Sequence, residues 1–356
     1  MCLPSELPPA TPAGEALDRL RRHAHKRNRA PHLGLEKHAR AHAGALRLDD
    51  WLVPERMSLG YTTPFWAELR EEERLALNHW IHAFMYTRIV EGEEYVIAAN
   101  RVVAQTLRDR EREPAISALL DREADEEVDH IAAFRAVRAA LFERHGLSGM
   151  RLHRKPARAL MLSPRTIRAL IRLLGAEFVA TYYTGRGIAN HMGKAFEQPT
   201  ARERTRNAAL QQLTELHTID ESQHMAVSHL MSACAHEVLP TPGLGRIRRR
   251  FSRLVQWLTV AYTFSDRVSK GHERLLTLTA VERLRALRGR TPAFRRALVE
   301  AHFRAESGIE QARNAHMPGL NERLLARADL APEDKALWRR TLRQNQGNLR
   351  FLPAEA

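Results

Sequence analysis

The chain has 356 residues, a net charge of +14 (56 Lys and Arg against 42 Asp and Glu), 44% hydrophobic residues and two cysteines. That length suits one large domain or two ordinary ones with a sizeable core. Cys2 and Cys234 exclude a disulfide framework, and within one chain they exclude a four-cysteine zinc site or an iron–sulfur cluster held by cysteine alone. So little cysteine, a start (Met1-Cys2-Leu3-Pro4) without the charged-then-apolar layout of a signal peptide, and no apolar run as long as a membrane span lead us to expect a cytoplasmic protein with no membrane partner.

The positive charge raises nucleic acid as a partner. Its densest run, Arg246-Ile247-Arg248-Arg249-Arg250, lacks interleaved aromatics. It reads as a solvated basic face, and no nucleic-acid partner is expected. The weaker alternative is a docking surface for an acidic partner, such as a substrate-bearing carrier protein.

Ala, Leu, Arg and Glu dominate, and alternating Val/Ile/Thr runs are scarce, which favours helix throughout. Residues 1–50 are polar, basic and rich in His, Pro and Ala, and read as a flexible arm, partly helical around Glu15–Asn28. The packed body begins near Trp51 and runs to about residue 240. Thr63-Pro64 is a cap-then-proline helix start for a long helix to about Leu107. Tyr86, Ile89, Val90, Val96 and Ile97 form its buried stripe. Glu93 lies inside that stripe. A buried carboxylate needs a charge partner or a metal.

Arg108–Pro114 is a turn. The next helix, about Pro114 to Arg144, carries Glu127-Val128-Asp129-His130 and ends at Gly146 and Gly149. Residues 145–163 form a long connection. A third helix starts at Ser163-Pro164 and contains Glu177 in the apolar run Leu173–Ala180. Glu197-Gln198-Pro199-Thr200 is a turn, and Thr200 caps a fourth helix running to about Glu237. On that helix His217, Glu221 and His224 stand at i, i+4 and i+7 and share one face. Glu127/His130 and Glu221/His224 are the only two Glu-x-x-His tetrads in the chain. Further helices are expected over Ile247–Ser269, Thr279–Leu287, Pro292–Ala312 and Pro332–Arg343, so that 241–356 adds a layer to the same domain.

In an antiparallel hairpin, residues equidistant from the turn lie at the same height. Glu93 and Glu127 are each 17 residues from Arg110, and Glu177 and Glu221 are each 22 residues from Pro199. Two hairpins meeting at one centre satisfy both matches. The connection 145–163 can span roughly 60 Å when extended, enough to run the length of the bundle. The expectation is therefore all-α: a ferritin-like four-helix bundle with one long crossover, plus additional C-terminal helices. Its ligand scheme takes one Glu from each of two helices and Glu-x-x-His from each of the other two. That gives Glu93, Glu127, His130, Glu177, Glu221 and His224, with His217 as a seventh candidate. Mixed carboxylate and imidazole donors suit iron or manganese.

Over roughly residues 60–240 the sequence resembles the di-iron amine oxygenases typified by p-aminobenzoate N-oxygenase. The resemblance rests on Glu93, Glu127-x-x-His130, Glu177 and His217-x-x-x-Glu221-x-x-His224, the last being the most specific. It implies seven ligands, Glu93, Glu127, His130, Glu177, His217, Glu221 and His224, holding two iron ions. It further implies O2 captured as a peroxo-diferric species, and an amine carried through hydroxylamine and nitroso towards nitro in a natural-product pathway, by a cytoplasmic homodimer. The Glu177–His217 spacing is longer than the family's, and the arm and C-terminal region match nothing in it, so no pocket residues carry over.

Asp129 and Asp220, each next to a ligand, are candidates to orient the imidazoles, against the commoner reading of exposed helix residues. Tyr86 is a candidate for the pocket or for electron transfer, against plain core packing. No flavin or nicotinamide motif is present, so an external reductase must supply electrons. Alternatives are a di-iron carbon hydroxylase, desaturase or nitrogen-coupling oxygenase, a ferritin-like protein handling iron or peroxide, and, on charge alone, a nucleic-acid binder.

Overall fold

The computed structural model describes residues 13–42, 47–150, 152, 163–202, 207–241, 243, 245–263, 266–305 and 319–345. It has the expected all-α architecture with helices beyond the bundle. Two antiparallel hairpins make the core: α3 (Glu71–Asp109) with α4 (Pro114–His145), and α6 (Ala176–Arg202) with α7 (Ala208–Ala233). Most of the long connection between them falls outside the described residues.

Helix ends follow local chemistry. The long helix begins at Glu71, later than the Thr63-Pro64 signal suggests, because Pro64–Glu68 forms only a short 3-10 turn. Its cap is Arg70, whose backbone N–H donates to Glu73 at 2.7 Å. Gly146, at φ +74°, ends α4, and Leu147 N–H bonds back to Phe142 O at 2.8 Å. Ser163-Pro164 starts α5 (Pro164–Leu174) as expected, but the helix breaks at Gly175 (φ +59°). A Cβ there would come within 2.2 Å of Thr241.

The second hairpin corrects the reading of its turn. Pro199 sits inside α6, which continues to Arg202, and α7 starts at Ala208 behind Asn207, whose side chain accepts from Leu210 N–H. The turn thus lies several residues beyond Pro199. The α6 residues level with Glu221 lie near position 189, well past Glu177.

Two apolar clusters fill the bundle. One includes Leu77, Trp80, Phe84, Phe134, Leu141, Leu210 and Leu213. The other includes Val103, Leu107, Leu119, Phe178, Ile188, Val227 and Met231. Between them lies a slab of buried Glu, Asp, His and Arg.

The N-terminal segment is not a loosely committed arm from Ala13 onward. In α1 (Ala13–Arg29), Ala16, Leu17, Leu20 and Ala24 form a buried stripe against α4 and α7, and α2 (Leu35–His42) follows. Residues 1–12 lie outside the described set. After α7 come α8 (Ala235–Val238), α9 (Arg246–Thr263), α10 (Asp266–Arg283), α11 (Pro292–Arg304), a helical segment at 319–327 and α12 (Pro332–Asn345). α9 and α12 pack together, as do α10 and α11.

Candidate metal centre

The polar slab is built from four helices. α3 gives Glu93, α4 gives Glu123, Glu126, Glu127 and His130, α6 gives Arg186 and Glu197, and α7 gives His217, Asp220, Glu221 and His224. Six of the seven expected ligands converge. Glu93, His130, His217 and Glu221 form one group whose donor atoms lie within 4.8 Å of one another. Glu127, His130, Glu221 and His224 form a second, so His130 and Glu221 belong to both. The inward atoms are His130 Nδ1, His217 Nε2 and His224 Nδ1. His130 Nδ1 stands 3.1 Å from Glu127 and 3.6 Å from Glu93. His217 Nε2 is 3.5 Å from Glu93 and 3.6 Å from Glu221. His224 Nδ1 is 3.2 Å from Glu221 and 3.3 Å from Glu127.

Each imidazole turns its other nitrogen to a separate carboxylate. His130 Nε2 is 3.1 Å from Asp220, His224 Nε2 is 3.0 Å from Glu126, and His217 Nδ1 is 2.7 Å from Glu197. A carboxylate on the outer nitrogen fixes which nitrogen keeps its proton and which presents a lone pair inward. Of the two orienting candidates read from the sequence, Asp220 takes this place, while Asp129 lies half-buried on α4 outside the cluster. Glu126 and Glu197 escaped the sequence reading. Glu126 had a local signal, since Arg122, one turn earlier, donates to it at 2.8 Å. Glu197 was hidden by the misplaced turn.

Arginines brace this outer layer. Arg27 of α1 donates to Glu126 at 2.7 Å and to Asp220 at 2.9 Å, tying two orienting carboxylates together. Arg186, almost fully buried, donates to Glu123 at 2.7 Å and to Glu127 at 3.3 Å. Glu123 also accepts from Asn100 Nδ2, and Asn100 Oδ1 accepts from Tyr183.

Glu177 is not brought to the cluster. It lies at the far end of α6, half-buried, with Oε1 3.9 Å from His236 Nε2. His236 in turn bonds Asp329 at 2.8 Å. The expected height match with Glu221 fails because the turn is not at Pro199. Tyr86 packs in the core. Its ring lies 4.2 Å from Phe134, which stands 4.7 Å from the His217 ring, so these aromatics wall the site on the His217 side.

Electrostatics follow from burial and pairing. Burial opposes charge on every imidazole here. The Glu197 and Glu93 carboxylates nonetheless lift His217 to about 10. Against the same opposition, His130 and His224 are held well above the ordinary histidine range by Asp220, Glu127 and Glu93 and by Glu127, Glu126 and Glu221 respectively. Glu127 resists the upward push of burial through His224 and His130 and stays well below the carboxylate range. Glu93 goes the other way: desolvation, with repulsion from Glu127, outweighs His130 and His217 and raises it, leaving it short of partners.

That shortage tests the fit to a metal. Both Glu93 oxygens and His217 Nε2 are buried and make no hydrogen bond, although a buried polar atom is normally paired. Three imidazole nitrogens and three carboxylates in two overlapping groups are a hard-to-borderline donor set suited to a pair of first-row divalent ions. The residues fit such a pair, with one departure from the expected scheme: among the described residues α6 brings no carboxylate to the inner set, and its nearest contribution there is the cation Arg186.

A cavity of about 460 Å³ lies elsewhere, against α3 and α4, lined by Thr87, Val90, Glu91, Arg135, Arg138 and Phe142 among others. None of the clustered ligands lines it. Among the described residues no helix is long and apolar enough to cross a membrane.

Compared with known proteins, residues 45–174, about a third of the chain, match a family model described as "Acyl halogenase CylC-like". The matched stretch includes Glu93, Glu127 and His130 but ends before α7. The family matched is thus not the amine oxygenases that the ligand pattern resembles. No curated protein and no solved structure matches the chain.

Proposed function

We propose that the chain is a dinuclear non-haem iron enzyme that uses O2 to functionalise a small molecule in a natural-product tailoring step. One observation carries this reading: three imidazoles and three carboxylates form two overlapping groups that share His130 and Glu221, and each imidazole is backed by its own carboxylate. Two iron ions bound there would supply the capacity to pass electrons to O2. The protein's own part is positioning. Glu93, Glu127 and Glu221 balance cationic charge. Asp220, Glu126 and Glu197 keep a proton on the outer nitrogen of His130, His224 and His217. Phe134 and Tyr86 keep water from the His217 side. Electrons come from an external donor, and the working unit is a cytoplasmic homodimer.

Of the finer readings, oxidation at carbon of an acyl substrate, ending in halogenation when halide is supplied, draws on the match of residues 45–174. In this reading the acyl group arrives tethered to a carrier protein. N-oxygenation of an amine draws on the His217-x-x-x-Glu221-x-x-His224 pattern, which lies outside the matched stretch.

The test begins with anaerobic reconstitution with ferrous iron and a count of metal per chain. O2 uptake by the reduced protein is then followed, with product mass measured for an acyl thioester plus bromide and for an arylamine. About two irons per chain and reductant-dependent O2 uptake are expected. Fewer than one iron per chain sinks the dinuclear reading. A bromine isotope pattern selects the carbon reading, and an added oxygen on the arylamine selects the other.

A further inference from the structure

α9 carries apolar side chains on both its inward and its outward face. Its inward face carries Ser252 and Gln256, each at most 2% exposed, beside Val255 and Val260. Gln256 accepts from Trp338 Nε1 at 3.0 Å, which pins α9 to α12. Its outward face carries Ile247 (85% exposed), Phe251 (36%), Leu254 (48%), Trp257 (45%) and Leu258 (44%). At 3.6 residues per turn, Ile247, Phe251, Leu254 and Leu258 form one stripe. Trp257, Arg246 and Arg250 flank it on one side and Arg248 on the other. α5, which touches α9, adds exposed Arg165, Arg168, Arg172 and Leu173. Neither helix contains an Asp or Glu. Arg253, turned to the body, is paired with Asp334 of α12 at 3.1 Å.

An apolar stripe of this size on a helix already anchored to the body is a contact surface, not a packing remainder. Its charge selects the occupant. A second copy meeting it about a two-fold axis would set arginine against arginine, with no carboxylate on either helix to separate them. A nucleic-acid backbone satisfies the arginines but leaves Ile247, Phe251, Leu254 and Leu258 in water. A bilayer with anionic headgroups satisfies both: large apolar side chains enter the headgroup–acyl boundary while the flanking arginines meet phosphate. We infer that α9 lies in the surface of an anionic lipid bilayer, with its Ile247–Leu258 stripe inserted and the α5 and α9 arginines on the headgroups. This departs from the expectation of no membrane partner, which rested on the lack of a spanning run. A helix lying in the bilayer surface needs none, so the finding that no described helix can cross a membrane does not bear on it. It stands independently of the proposed chemistry.

The test is co-sedimentation of the full chain with phosphatidylcholine vesicles, with and without phosphatidylglycerol. Wild type is compared with Leu254→Ser/Leu258→Ser and with Arg246→Gln/Arg250→Gln. All these residues are exposed, and unchanged circular dichroism and thermal midpoint confirm the fold. Wild type should bind the phosphatidylglycerol vesicles, and each double variant should bind at least tenfold more weakly. No binding by wild type overturns the inference. Equal binding by Leu254→Ser/Leu258→Ser also overturns it, since that is adsorption through net charge alone. A dimer in sedimentation velocity that the leucine variant dissolves assigns the face to a second copy. Capture of an acyl carrier protein that the same variants abolish, with vesicles left unbound, assigns it to an acidic protein.

Discussion

Glu197 on α6 lies 2.7 Å from His217 Nδ1 on α7, twenty residues apart in sequence and both buried. The outer nitrogen of His217 therefore keeps its proton and Nε2 is left to face Glu93. Glu197→Ala removes that constraint without touching an inward donor. Carboxylates in this position typically contribute roughly 10- to 100-fold to metal affinity. Titration of the apoprotein with ferrous iron should show one of two binding events weakened by that order and the other unchanged. Two unchanged events would mean that His217 does not hold metal.

Arg186 supplies the only described guanidinium contact to Glu123 and Glu127, and all three side chains are at most 4% exposed. Arg186→Met leaves Glu123 buried without its guanidinium partner, while Glu127 keeps only His130 and His224. Breaking a buried ion pair from one side costs about 3–5 kcal/mol. Urea unfolding of the iron-free protein should show a loss of that size. Adding Glu123→Gln to the variant should recover part of it, because the uncompensated charge is then gone. Failure to recover would point to lost packing instead.

The two tetrads were legible because Glu-x-x-His reads the same wherever the helix ends. Proline marked the first turns of α4, α5, α11 and α12, since a missing N–H costs nothing there. The same residue misled at position 199. Proline is tolerated inside the final turns of α6, and taking it as the turn moved the zero of the height comparison. That brought Glu177 into false register with Glu221 and hid Glu197. The break at Gly175 was equally illegible, because it answers to Thr241, distant in sequence. α1 looked like an arm because its stripe has only two leucines. What holds it, Arg27 on Glu126 and Asp220, appears only once α4 and α7 are side by side.

Glu177 separates the sequence scheme from the structure. Beside His236 and Asp329 it is out of reach of the cluster. Glu177→Gln should load as much iron as wild type and take up O2 at the same rate. A drop of about one iron per chain would restore it as a ligand and require α6 to shift by several turns.

Arg27 makes the N-terminal helix part of the site. Its guanidinium bridges Glu126 and Asp220, the carboxylates behind His224 and His130. Hydrogen bonds to charged groups contribute about 1.5–3 kcal/mol, so Arg27→Met should lower stability by that order. It should also speed loss of iron to a chelator, since both imidazoles lose part of their support. An unchanged chelation rate would confine Arg27 to stability.

A final prediction concerns acid. Glu73, in the first turn of α3, is buried against Arg290, which donates to both its oxygens at 2.8 Å. Those bonds, aided against desolvation by Arg70, pull Glu73 from its ordinary 4.5 to about 2. A carboxylate depressed in the folded state adds stability above its unfolded pKa and loses it as pH falls through the folded value. The contribution should therefore be whole at pH 5 and above, decline below about 4.5 and be nearly gone at about 2. Glu73→Gln should melt lower than wild type at pH 6, with the gap closing between those two values. A gap that stays constant down to the acid limit would show that the pair acts through packing of α3 against the turn before α11, not through charge.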